Sequence, residues 1–162
     1  MRIDESIEVA AAPETVWHYL EDPESYLRFM AGLVHWEVAG EHPNGLGARY
    51  RILLRIGAAE VGGLIEMVEW NEPFDIAWHA VTGVEHRGRW RIRERGEGRS
   101  RIEFRFAYGF PGSGVAGLIT ELAASLPMRR QMRRTLRHLK HNVEAEQSRL
   151  EAERRRAGPR AA

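Results

Sequence analysis

From residue 34 to about residue 108 apolar and polar side chains alternate; beyond residue 114 apolar residues instead recur every three to four positions. A period of two puts neighbouring side chains on opposite faces of a strand, and a period near 3.6 puts them on one face of a helix. The chain must therefore make several strands with one dry face each, followed by helix. Val34, Trp36 and Val38 alternate with His35 and Glu37, and Tyr50, Ile52, Leu54 and Ile56 with Arg49, Arg51 and Arg55. An apolar run from Val61 to Trp70 leads through Asn71-Glu72-Pro73 to Phe74, Ile76 and Trp78. Trp90 and Ile92 then stand against Arg87, Arg89, Arg91 and Arg93, and Ile102, Phe104, Phe106 and Tyr108 against Arg101, Glu103 and Arg105. Asn44-Gly45, Gly57 and Gly96-Glu97-Gly98 supply turns between them. Six strands joined by short turns form an antiparallel meander.

Ahead of the meander, Ile3, Ile7 and Val9 mark a first strand, and Pro13 opens a helix with Val16, Trp17 and Leu20 as its stripe. Pro23 starts a second short helix carrying Tyr26, Leu27, Phe29 and Met30, closed by Gly32. Behind the meander, Leu118, Leu122, Leu126, Met132, Leu136, Leu139 and Val143 predict one long helix, or two pieces bent at Pro127. The stripe thins after Glu144, so residues 1–146 are expected to form the domain and 147–162 a polar helix end or disordered tail. The fold class is α+β: a seven-stranded antiparallel sheet that covers its apolar face by curling around the C-terminal helix. That curl leaves a space near the short helices where a ligand would sit.

Cysteine is absent, which removes disulfides and thiolate chemistry, and no run of 18 apolar residues occurs. With no apolar stretch at the start either, a cytoplasmic location is expected. Charge is uneven: residues 1–80 hold 5 arginines and 14 carboxylates, and residues 81–162 hold 19 basic and 9 acidic side chains. The two halves are expected to neutralise each other, with Asp4 and Glu8 facing the last strand's arginines. The arginine stripe of residues 87, 89, 91 and 93 is then solvated surface, with changes at Arg89 or Arg91 worth less than about 0.5 kcal/mol each. No exposed aromatics interleave with it, so nucleic acid is not expected; a transient contact with an anionic membrane, for loading a lipid, stays open.

Glu66 is the one carboxylate in its apolar run. It faces inward if Leu64, Val68 and Trp70 do, and outward if Val61, Ile65 and Met67 face inward; the second register buries more without a charge and is the one expected. His138, His141 and Glu144 have helical spacing but arginine neighbours, and no metal site is expected. Gly112-Ser113-Gly114-Val115-Ala116-Gly117 spells a dinucleotide fingerprint, but no parallel strand follows, so it reads as the entry to the long helix and no cofactor is expected.

Several short stretches, in order, resemble a known family: Ile7-Glu8-Val9, Ala12-Pro13-Glu14-Thr15-Val16-Trp17, Asp22-Pro23-Glu24-Ser25-Tyr26, Gly47-Ala48-Arg49-Tyr50 and Val68-Glu69-Trp70-Asn71-Glu72-Pro73. Together they are similar to the helix-grip fold of the START-like (SRPBCC) superfamily, in particular the polyketide cyclase/dehydrase and lipid-transport family, over residues 3 to 145. The resemblance implies carriage of an apolar small molecule (a lipid, quinone or polyketide) in an internal cavity, or cyclase/aromatase chemistry in the same cavity. A cyclase needs at least one inward ionisable group. The expected lining is Trp36, Tyr50, Trp78, Trp90, Phe104, Phe106 and Tyr108 from the sheet, Leu122, Met132 and Leu136 from the long helix, and Leu27 and Met30 from the short one. The short helix is expected to gate that cavity through Leu27 or Met30. No catalytic residue is assigned.

Overall fold

A computed structural model describes residues 2–109 and 115–157, with residues 115–125 as backbone only. The order is β1 (Arg2–Val9), α1 (Pro13–Glu21), a 3₁₀ turn (Pro23–Ser25), α2 (Tyr26–Phe29), β2 (Leu33–Val38), β3 (Arg49–Ile56), β4 (Ala59–Asn71), β5 (Asp75–Ala80), β6 (His86–Glu94), β7 (Ser100–Tyr108) and α3 (Val115–Ala157). The seven strands form one antiparallel sheet in the order β1-β7-β6-β5-β4-β3-β2. Every neighbour is the next strand in sequence except the β1–β7 pair, which brings the two ends of the domain together.

Period two fixes which face is dry. Along β7 the even residues Ile102, Phe104, Phe106 and Tyr108 are buried, while the odd ones between them are half-exposed. The buried face is covered by α3, whose Met128, Met132, Leu136, Leu139 and Val143 are all sealed. α3 runs unbroken through Pro127. It lies mainly along β1 and also touches α1, α2, β3 and β7.

Both registers weighed for the fourth strand contain a part of the answer. Ile65 and Met67 are fully buried and Glu66 turns outward to Arg49, 2.6 Å away. A bulge between Met67 and Glu69 then flips the parity, so Val68 is exposed and Trp70 turns inward to meet Trp17 edge-on at 5.3 Å. A bulge inserts one residue, so a strict alternation could not show both.

The helical tail also does more than end the domain. α1 begins Ala12-Pro13 and has no capping side chain of its own. Gln147 supplies the cap from across the molecule: its Oε1 accepts from the Ala12 N–H (3.2 Å) and the Thr15 hydroxyl (2.8 Å). Residue 147 thus belongs to the packed body, and the helix continues to Ala157.

Candidate functional site

The inner face of the sheet is an aromatic wall. Trp36, Tyr50, Trp78, Trp90, Phe104, Phe106 and Tyr108 are all buried on it, as are Met132 and Leu136 on α3. Seven rings form a connected series. Tyr50 stacks on Trp36 (4.8 Å), Trp36 on Tyr26 (4.2 Å), Tyr26 meets Phe29 (5.1 Å), and Phe29 meets Trp90 (6.0 Å). Trp90 stacks on Phe104 at 3.9 Å, and Phe104 meets Trp78 at 6.1 Å. Two of the seven, Tyr26 and Phe29, come from α2 and were not among the expected lining residues. They fill the interior over β2, β3 and β6. Burial pushes the Tyr26 hydroxyl far above its ordinary range, with Tyr50 adding to the effect, and that hydroxyl donates to the Leu20 carbonyl at 2.9 Å. Burial also pushes the Tyr50 hydroxyl up to about 12. Its proton is held by the Pro43 carbonyl, 2.7 Å away.

Leu27 does not join them. It is 51% exposed on the far side of α2, and Met30 is only half-buried. A four-residue helix has two inward positions, and the aromatic side chains occupy both. The α2–β2 turn is tied down as well: the Ala31 N–H donates to the Thr135 hydroxyl of α3 (2.9 Å), and Gln131 packs against Gly32. An opening of α2 would break these contacts and unstack Tyr26 from Trp36, so the helix expected to be a lid is an anchored element. The Leu122 side chain and the glycines at 112 and 114 lie outside what the structure describes.

A second group lies at the other end of the wall. His86 meets Phe106 at 5.4 Å, Phe106 meets Tyr108 at 6.0 Å, and His86 sits directly across the strand pair from Tyr108. Trp78 reaches toward it, seated on Gly88 of the neighbouring strand. His86 is buried to 7% exposure. Its Nδ1 lies 2.8 Å from the Val84 carbonyl. A carbonyl can only accept, so Nδ1 carries the proton and Nε2 keeps its lone pair in the neutral ring. Burial holds the imidazole below its usual pKa, the Val84 contact partly opposing it. The unfolded chain therefore takes up this proton more readily than the folded one. Stability from His86 is complete above the ordinary histidine pKa and is lost as pH falls below it. His86→Gln should flatten this acid-side loss in urea unfolding curves measured across the pH range. Alternation with Arg87 and Arg89 is the sequence signal that position 86 faces inward.

Another inward ionisable group carries the same signal in its spacing. Glu5 shares the face of Ile3, Ile7 and Val9 on β1 and ties α3 to it through Arg133 (3.0 Å) and Arg129 (3.4 Å).

The outer face is arginine bound to carboxylate. Asp4 holds Arg105 at 2.6 Å, Glu69 holds Arg89, and Asp75 holds Arg91 at 2.8 Å and Arg93 at 3.4 Å. Acids from the first half meet arginines from the second, as their charges required. Glu8 departs from the expected pairing: its backbone carbonyl accepts from Lys140 at 2.8 Å, and Arg101 binds Ser6. Arg91 is not plain surface, because Asp75 is itself buried and the contact raises the Arg91 pKa. We expect Arg91→Gln to cost about 1.5–3 kcal/mol in denaturant unfolding, well above the allowance for solvated surface. Arg89→Gln, with both partners about a third exposed, should cost roughly 0–1 kcal/mol. An open depression of about 1060 Å³ is lined by Val68, His79 and Arg87 of this face and also by Trp78, His86 and Tyr108 of the inner one. Among the described residues no group of three histidines or carboxylates is placed to hold a metal; Glu144 instead accepts from the Ala10 N–H (2.9 Å) and Lys140 (2.6 Å). Nor, among the described residues, is any helix long and apolar enough to cross a membrane.

A curled antiparallel sheet gripping one long C-terminal helix, with short helices after the first strand, defines a START-like helix-grip protein. Solved structures with this architecture include TTHA0849 from Thermus thermophilus, at 21% identity and a TM-score of 0.76 over 90% of this chain and 99% of that one. The Zhui aromatase/cyclase of a Streptomyces species follows at 17% identity and 0.75, over 89% and 93%. A START superfamily protein of Mycobacterium smegmatis matches at 16% and 0.63, over 92% and 98%. At these identities the likeness is one of fold. The sequence itself matches the model of the polyketide cyclase/dehydrase and lipid transport family over residues 1–144, and the chain belongs to that family. No curated protein matches it in sequence.

Proposed function

We propose that this protein binds an apolar, ring-bearing small molecule between the inner sheet face and α3, in the cytoplasm, at the end of the wall formed by Trp78, His86, Phe106 and Tyr108. The observation that carries this reading is the division of the wall. At the α2 end aromatic rings from two layers fill the interior, with Trp90 enclosed between Phe29 and Phe104. At the other end His86, Phe106 and Tyr108 form a separate ring group on the sheet. Aromatic side chains offer large flat surfaces to a planar ligand, and the imidazole supplies a polar group that orients it. The family's lipid-transport and cyclase members support a ligand of this class.

A second reading is cyclase chemistry, and His86 is the residue that favours it. A buried neutral imidazole with its Nδ1 proton committed to a carbonyl presents Nε2 as a base. Native mass spectrometry of the protein purified from its own host tests both readings. A retained apolar compound supports carriage, and turnover of an added poly-β-ketone thioester, lost in His86→Gln, supports catalysis. A protein that retains nothing and binds no planar aromatic compound would overturn both.

A further inference from the structure

The sheet has two edges, β1 and β2, and the molecule treats them differently. Beside β1 lies α3, from which Lys140 reaches the Glu8 carbonyl (2.8 Å) and Glu144 the Ala10 N–H (2.9 Å). A strand edge covered by a helix and a lysine cannot pair with another chain. Along β2 no comparable contact to the free edge occurs among the described residues. The Ala39 N–H donates to the Arg49 carbonyl (2.8 Å), so alternate residues 37 and 35 also face β3, and the backbone groups of Trp36 and Val38 point to the open side. Val34 and Val38 are 46% and 39% exposed, as is Leu27 at 51% on α2, the helix whose Tyr26 stacks on Trp36.

We propose that β2 pairs antiparallel with β2 of a second copy of this chain about a two-fold axis through Trp36. The side chains select that register. It sets His35 opposite the partner copy's Glu37 and Val34 opposite its Val38. The nearest shifts that backbone parity allows set Glu37 opposite Glu37 or His35 opposite His35, and longer ones leave fewer residues of β2 paired. Cross-strand pairs favour opposite charges and β-branched neighbours and penalise like charges. Glu37 already holds Arg51 at 3.1 Å and the His35 ring of its own strand at 3.4 Å, and the pairing adds the partner copy's His35 to that row. The bulge between Leu33 and His35 ends the regular edge, so the pairing is short and the dimer weak and concentration-dependent. An interface of this kind is isologous and closes on itself, joining two seven-stranded sheets into one.

The chain lacks cysteine, which gives a direct test. His35→Cys with Glu37→Cys places thiols on exposed side chains that face each other only across the two-fold, in the closely spaced class of antiparallel pair. Under mild oxidation this variant should form a covalent dimer, while Asp4→Cys with Ser6→Cys on β1 should not. Sedimentation of the unmodified protein should show mass rising from monomer to dimer with concentration. Val38→Pro removes only an edge N–H that β3 does not use, and it should hold the protein monomeric with an unchanged circular dichroism spectrum. Monomer at every concentration, a dimer indifferent to Val38→Pro, or cross-linking no faster at β2 than at β1 would each overturn the proposal.

Discussion

Gly88→Ala should remove about 3 kcal/mol from the stability of this domain, an unusual loss for one methyl group. Gly88 lies across the β5–β6 pair from Trp78, and the indole rests on its bare backbone. A Cβ there would come within 2.0 Å of Trp78 Cζ2 and 2.4 Å of Cε2. The ring is 3% exposed, with Phe104 at 6.1 Å, so it can yield only by disturbing its packing. Urea unfolding checks the loss, and a second substitution identifies its cause. If the clash is with the indole, Trp78→Leu should cost much less in the Gly88→Ala background than alone, by at least about 1 kcal/mol. Strictly additive losses would place the damage elsewhere.

Trp90→Ala should cost about 3–5 kcal/mol, the range for deleting a large aromatic side chain from a packed core. Trp90 is fully buried, stacked on Phe104 and met edge-on by Phe29. Its loss opens a void where strand and short helix meet, so α2 should exchange its amide hydrogens faster in the variant. Leu27→Ala on the solvent side of the same helix should change stability by less than about 0.5 kcal/mol. Equal losses at the two positions would mean that α2 is not held by its aromatic side chains.

Alternation along β7 and β6 is uninterrupted, so Trp90, Phe104, Phe106 and Tyr108 could be placed on the inner face from spacing alone. The same arithmetic would have placed Glu5 and His86 inward, but a charged or titratable residue in an apolar row looks like noise until its partner is known. Those partners are 128 residues away for Glu5 and Arg133, and a backbone carbonyl two residues away for His86. What spacing could not show is a change of parity inside a strand. The bulge at Met67/Glu69 turns Trp70 inward to meet Trp17, and nothing local marks it. Nor could it show which face of a four-residue helix is inner, because one turn has no period. Tyr26 and Phe29 hold those positions over Leu27 and Met30 because their rings meet Trp36 face-on and Trp90 edge-on, and an aliphatic side chain makes neither contact. The outer arginine stripe was legible as a face but not as a set of bonds: Asp75, which makes Arg91 structural, lies 16 residues earlier on the adjoining strand.

The central claim is that the ring group at His86 receives the ligand while the α2 end of the wall is filled. Titration with 2-naphthol, followed by NMR of the tryptophan indole and histidine ring resonances, tests it directly. Saturable shifts of Trp78 and His86, with Trp17 unmoved and Trp90 responding little, are the predicted result. No saturable binding, or shifts confined to the outer-face His79 ring, would contradict it.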